Sequence, residues 1–127
     1  MAYSAEFAEF VKELLGGLGP VTVRRMFGGA GVYCDGVMFG LIARDTLYFR
    51  VDNGNRPAFE AEGMEPFSYE GKGKPIQLPY WRLPERLFDE ADETLEWARS
   101  AVAAAQRAST KPKRAENAGA RDSVRGR

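Results

Sequence analysis

Three features of the 127-residue chain predict an α+β fold, an antiparallel sheet of about five strands with N-terminal and C-terminal helices packed against it. Apolar residues recur at helical spacing near both ends of the chain. The middle instead carries short, strand-like apolar runs cut by turn-forming pairs. Those runs follow one another too closely for the helical crossovers that parallel strands need, so neighbouring strands are expected to be antiparallel.

Taken in order, Ser4 is a helix cap and Glu6 suits a first turn. Phe7, Phe10, Val11, Leu14 and Leu15 form one apolar stripe, and Gly16-Gly17 stops the helix before Pro20. Residues 21–27 and 32–34 read as extended, interrupted by Gly28-Gly29-Ala30-Gly31, a bend or close approach of backbone. Asp35-Gly36 is a two-residue hairpin turn, residues 37–43 return as a mostly apolar strand, and Arg44-Asp45 turns again. In residues 46–51, Leu47, Phe49 and Val51 alternate with Tyr48 and Arg50, which predicts one buried and one wetter face. The simplest arrangement is a three-stranded meander.

Asn53 or Asn55 then caps a short helix through Pro57, Phe59 and Ala61, ended by Gly63. Two short strands, 66–70 and 75–80, flank Gly71-Lys72-Gly73-Lys74, and Pro79 marks the second as an edge or brief strand. From Pro84 a helical stripe of Leu87, Ala91, Leu95, Ala98, Val102 and Ala105 runs to about Ala108, with a break around residues 89–92.

The balance of 18 basic and 18 acidic residues conceals an asymmetry. Residues 109–127 hold Lys111, Lys113, Arg114, Arg121, Arg125 and Arg127 against two acids, a net +4, which leaves residues 1–108 at −4. This segment has no Leu, Ile, Met or aromatic residue, so residues 1–108 are read as the domain and 109–127 as a disordered basic tail. Such a tail either solubilises or makes weak, salt-sensitive contacts to nucleic-acid phosphates.

The chain contains no histidine, which removes Ser-His-Asp and Cys-His catalysis and His-ligated metal sites. One cysteine, Cys34, forms no internal disulfide, and the N-terminal residues lack a secretion signal, so a cytoplasmic protein is expected. The glycine cluster fails as a dinucleotide fingerprint, because Cys34 stands where the third glycine belongs and a strand follows instead of a helix. Gly73-Lys74-Pro75 fails as a phosphate-binding loop, lacking its Ser or Thr. Cys34 reads as a hairpin-end thiol, and acid pairs such as Glu65 with Glu70 are easily coincidental among the sixteen acids of residues 1–108. No catalytic constellation, cofactor or metal follows from these residues.

Arg24-Arg25 and Lys72-x-Lys74 are the basic groups with aromatic neighbours, Tyr69, Tyr80 and Trp81. Adjacent strand residues face opposite ways, so one arginine at most lies on the solvent face of the sheet. Basic groups among aromatics suit single-stranded nucleic acid, while the plain alternative is a core rim with solubilising lysines.

The strings Arg25-Met-Phe-Gly-Gly-Ala-Gly-Val-Tyr-Cys-Asp-Gly, Pro66-Phe-Ser-Tyr-Glu-Gly-Lys-Gly-Lys-Pro75 and Leu78-Pro-Tyr-Trp-Arg-Leu-Pro84 resemble the N-terminal domain of the TfoX/Sxy family, over about residues 3–105. The resemblance implies a non-enzymatic role, since the namesakes are co-activators of bacterial competence promoters that work with the cyclic-AMP receptor protein. They carry a second, helical domain where this chain has the basic tail. By resemblance, the expected protein is a small regulatory adaptor contacting the transcription machinery; the residues themselves leave monomer and homodimer open. Its candidate surface is Arg24, Arg25, Gly28, Gly29, Gly31, Lys72, Lys74, Tyr80 and Trp81. Weak nucleic-acid binding through the tail and a small-ligand pocket or enzyme site under the glycine bend are the alternatives.

Overall fold

The computed structural model describes residues 3–26 and 28–110. Helix α1 (Ala5–Leu14) is capped as expected, the Phe7 N–H donating to Ser4 Oγ at 3.0 Å. The Ser4 N–H in turn donates to Asp45 Oδ1 at 2.7 Å, which ties the start of the helix to the Arg44-Asp45 turn. Val11 and Leu15 are fully buried. Phe7 and Phe10 lie outside them and meet Phe88 edge-on, with ring centroids 6.3 and 5.6 Å away.

Six strands form one antiparallel sheet: β1 (Val21–Met26), β2 (Gly29–Cys34), β3 (Val37–Ala43), β4 (Thr46–Arg50), β5 (Pro66–Gly71) and β6 (Lys74–Arg82), in the order β1-β2-β3-β4-β6-β5. The first four strands make a longer meander than the three-stranded one expected. Gly29, Ala30 and Gly31 do not interrupt a strand but belong to β2, paired with Met26, Arg25 and Arg24. Phe27 lies outside the described residues. Each of the pairs Asp35-Gly36, Arg44-Asp45 and Lys72-Gly73 has positive φ at both positions, the left-handed geometry of a tight two-residue hairpin.

β6 is nine residues long and lies between β4 and β5, so the edge position expected from Pro79 is wrong. The proline is tolerated because β5 pairs irregularly there: Pro66 faces Trp81 and Ser68 faces Gln77, leaving Phe67 opposite residues 78–80. Pro79 has no N–H to place in a ladder, but its carbonyl accepts from the Val51 N–H at 2.9 Å.

β3 carries a bulge. Val32 pairs with Gly40 and Tyr33 with Met38, so Phe39 is the extra residue. Before it Val37 and Phe39 face the helices; after it Ile42 does, while Met38, Leu41 and Ala43 face the other way. Gly40 sits in a crowded position, where a Cβ would stand 3.2 Å from Val32 Cβ and 3.3 Å from the Tyr48 carbonyl oxygen. Phe39 and Phe49 meet in the helix-side core, with centroids 5.8 Å apart.

That core also takes Leu87 from a 3₁₀ turn (Glu85–Asp89) and an alanine face of α3 (Ala91–Thr110). The break around residues 89–92 is therefore present, and the helix extends two residues past the expected boundary. Ala98, Ala101, Ala104 and Ala105 are the buried positions, whereas Ala91 of the expected stripe is exposed. Thr94, not anticipated, is fully buried and donates its hydroxyl to the carbonyls of Leu87 and Glu90. Helix α2 (Arg56–Ala61) supplies Phe59, whose ring meets Trp97 at 4.8 Å. Asn55 precedes α2 but its side chain does not cap it. Asn55 Oδ1 accepts from the Asp52 N–H at 2.8 Å, and Nδ2 donates to the Arg50 carbonyl at 3.0 Å.

Asp52 fastens the far end of α3 to this turn. Arg107 Nε and a terminal nitrogen donate to its two oxygens at 2.7 and 2.9 Å, and the Gly54 N–H adds a bond at 2.8 Å. Chiefly through the Arg107 hydrogen bond, against a smaller opposing effect of burial, the Asp52 carboxyl drops from 3.8 to about 2. A lowered acid stabilises the fold above its unfolded pKa and loses that contribution as pH falls through the folded one. Urea midpoints should thus show an Asp52→Asn penalty that is full above pH 5 and fades between about pH 4 and pH 2. With Arg107 half exposed, the penalty should not exceed about 1 kcal/mol. A sterner constraint lies in β2, where a Cβ on Gly29 would sit 2.4 Å from the Ile42 carbonyl oxygen. Denaturant unfolding of Gly29→Ala should show a loss of at least about 2 kcal/mol. Gly16→Ala, with nothing within 4 Å of the added carbon, should stay within about 0.5 kcal/mol of the parent.

Candidate functional site on the uncovered sheet face

Among the described residues, the apolar cluster on the second face of the sheet contains no helix side chain. Leu41, Ala43, Phe67 and Tyr80 are its buried members, with Met38, Tyr48 and Leu78 around them. This face stays partly dry because the sheet curls. Met26 on edge strand β1 and Phe67 and Tyr69 on edge strand β5 line one cleft of about 470 Å³, floored by Met38, Leu41 and Ala43. Such a volume falls within the usual range for small-ligand pockets. Beyond the cleft the β5–β6 ribbon presents Tyr69 and its cross-strand partner Ile76, 44% and 39% exposed.

The wetter face expected for β4 is only half right. Tyr48 is covered edge-on by Phe67 at 5.1 Å, and the Arg50 guanidinium stacks over the Tyr80 ring, 5.6 Å from its centroid. Arg50 Nε is buried and without a hydrogen-bond partner. Across the cleft floor, Arg24 stacks over Tyr33 at 5.4 Å. Gly31 permits this: it faces Arg24 in the ladder, and a Cβ there would press on Met26 Sδ and Tyr33 Cε1, both at 3.0 Å, and on Met38 Cε at 3.2 Å. The two pairs converge on Met38, which pairs with Tyr33 and accepts from the Tyr80 hydroxyl at 3.5 Å. Burial pushes the Tyr80 phenol up, Arg50 acting in the opposite direction. Neither Arg24 nor Arg50 meets a carboxylate among the described residues. The strands as a whole contain five basic residues and a single acid, Glu70.

The expected surface is partly assembled. Gly29 and Tyr80 line the cleft, Gly31 lies against the lining residues Met26 and Met38, and Arg24 is the cross-strand partner of Gly31. Gly28 lies in the β1–β2 turn. Arg25 pairs with Ala30 and so belongs to the helix side, although it is exposed at the sheet edge. Trp81 is also on the helix side, its ring 6.4 Å from that of Phe59. Lys72 and Lys74 are exposed at the ribbon tip, beyond the Tyr69–Ile76 pair and far along β6 from Tyr80 and Trp81. The tail positions Lys111, Lys113, Arg114, Arg121, Arg125 and Arg127 lie outside the described residues.

Sequence reasoning missed Met26, Met38, Leu41, Phe67, Leu78 and Arg50. The available signal was the near-continuous apolar run of β3, which marks a strand covered on both faces.

The architecture is an α+β domain with helices on one face of a curled sheet and an apolar cleft on the other. The TfoX N-terminal domain profile matches residues 13–105, and the chain belongs to that family. Among curated proteins, none matches it. Among the described residues, no three His, Cys, Asp or Glu side chains come together as a metal site, and no helix is long and apolar enough to cross a membrane.

Cys34 ends β2 on the helix side, 7% exposed. Burial, with a smaller effect from Asp35, pushes its thiol up, so the thiolate is scarce at neutral pH. A disulfide reagent at pH 7.5 should leave Cys34 largely unmodified in the folded protein and react fully in denaturing urea.

Proposed function

We propose that this protein is a small, non-enzymatic regulatory adaptor that acts by protein contact through the uncovered sheet face, in the manner of the competence co-activators its family is named for. The observation carrying the reading is that this face keeps Arg24 and Arg50 free of carboxylates and also exposes Tyr69 and Ile76 on the β5–β6 ribbon. Exposed aromatic and aliphatic groups next to unpaired cations suit a partner surface with apolar anchors and acidic flanks. The acidic residues of the domain lie mainly on the helices and loops, so such a partner is steered to one side. Family membership supports a regulatory context and assigns no partner.

Affinity capture from the native cell tests this with the parent chain and an Arg24→Glu, Tyr69→Ala variant as baits. Both positions are exposed, so the variant should keep its fold by circular dichroism. The expected result is a transcription factor or RNA polymerase subunit, identified by mass spectrometry, retained by the parent and reduced at least about tenfold by the variant. Recovery of no transcription protein above the variant overturns the reading.

A further inference from the structure

We propose that the cleft binds a small amphipathic anion, a medium-length acyl or aryl chain ending in a carboxylate or phosphate. The body of the site is made for the chain. Met26, Met38, Leu41, Ala43, Phe67 and Leu78 offer a 470 Å³ hollow with almost no polar group, and unbranched methionines adapt to a flexible occupant. The head group is answered at one end only. Tyr33 pairs with Met38 and carries Arg24 over its ring, and Tyr80, whose hydroxyl donates to the Met38 carbonyl, carries Arg50.

No carboxylate of the described chain pairs with either arginine, and Arg50 keeps a buried Nε donor without an acceptor. A buried N–H donor normally has an acceptor. Here the Arg50 Nε–H lacks one, although Arg50 also meets Tyr80, which lines the hollow. A free donor beside an apolar hollow is the pattern of a site completed by an anionic ligand.

Nucleobases fit less well. Arg24 and Arg50 already occupy faces of Tyr33 and Tyr80, and Phe67 is met by the edge-on ring of Tyr48, which leaves Tyr69 as the exposed ring for stacking. The glycines serve the same cleft: Gly31 lets Met26, Tyr33 and Met38 close over β2, and Gly29 brings β2 against the Ile42 carbonyl. This inference goes beyond the adaptor reading and does not depend on it, because its test uses the purified chain alone.

The chain has four methionines, so ¹³C-methyl labelling of Met gives a spectrum with few signals. Met26 and Met38 line the cleft, whereas Met64 packs against the helix-side core and serves as an internal control. Titration with decanoate and with octyl phosphate should shift Met26 and Met38 saturably and leave Met64 in place. Decanol, the same body without the charge, should bind at least about tenfold more weakly, and Arg24→Gln or Arg50→Gln should weaken decanoate by a similar factor. Arg24 is exposed, so its variant remains informative if loss of the partly buried Arg50 unfolds the chain. Absence of saturable shifts with both anions overturns the proposal. So does equal binding of decanol, or a Met64 shift as large as those of Met26 and Met38.

Discussion

The bulge at Phe39 is the constraint on which the rest of the structure depends. A strand with strict alternation feeds one core, and this sheet has two. By adding one residue opposite Val32 and Tyr33, β3 sends Phe39 and Ile42 to the helices and Met38, Leu41 and Ala43 to the opposite face. Gly40 makes the insertion feasible, since it occupies the crowded position between Val32 and the Tyr48 carbonyl. The bulge also adds local twist, in keeping with a sheet curled far enough for both edge strands to line one cleft.

Each face of β3 is then covered by different means. On one side the alanines of α3 let the helix lie close over β3 and β4, and Phe49, Phe59 and Leu87 fill the space around it. On the other side the cover is the ribbon of β5 and β6, a two-stranded element with irregular pairing at Phe67. A ribbon covers less than a helix layer does. The remainder is a hollow with an exposed apolar margin.

Charge follows the same division. The −4 of residues 1–108 is the sum of strands with five bases and one acid and of helices and loops where acids prevail. On the helix side, the well-formed ion pairs are structural: Arg86 bridges Glu62 and Glu93, and Arg107 holds Asp52. On the cleft side the arginines lie over aromatic rings instead of carboxylates. Arginines placed in this way hold their position without being neutralised, and so remain able to meet an anion from outside.

The sequence by itself determined the α+β class, the Ser4 cap, the three hairpin turns, the split before α3 and the family resemblance. All of these rest on local signals: side-chain periodicity, left-handed turn residues and short strings. It also marked Arg24, Gly29, Gly31 and Tyr80, four residues that the sheet places on or beside the uncovered face. Only the tertiary structure decided which of their neighbours belong with them. Trp81 and Arg25 went to the helix side because strand parity and register set the face, and register depends on a partner strand that no local window contains. Arg50 looked like a solvent-facing residue until Tyr80 arrived opposite it from thirty positions along the chain. Likewise Pro79 read as a sheet edge because the irregular pairing that tolerates it belongs to β5 as much as to β6. The cleft itself joins β1 to β5, the two ends of the strand order, and exists only once the whole sheet has curled.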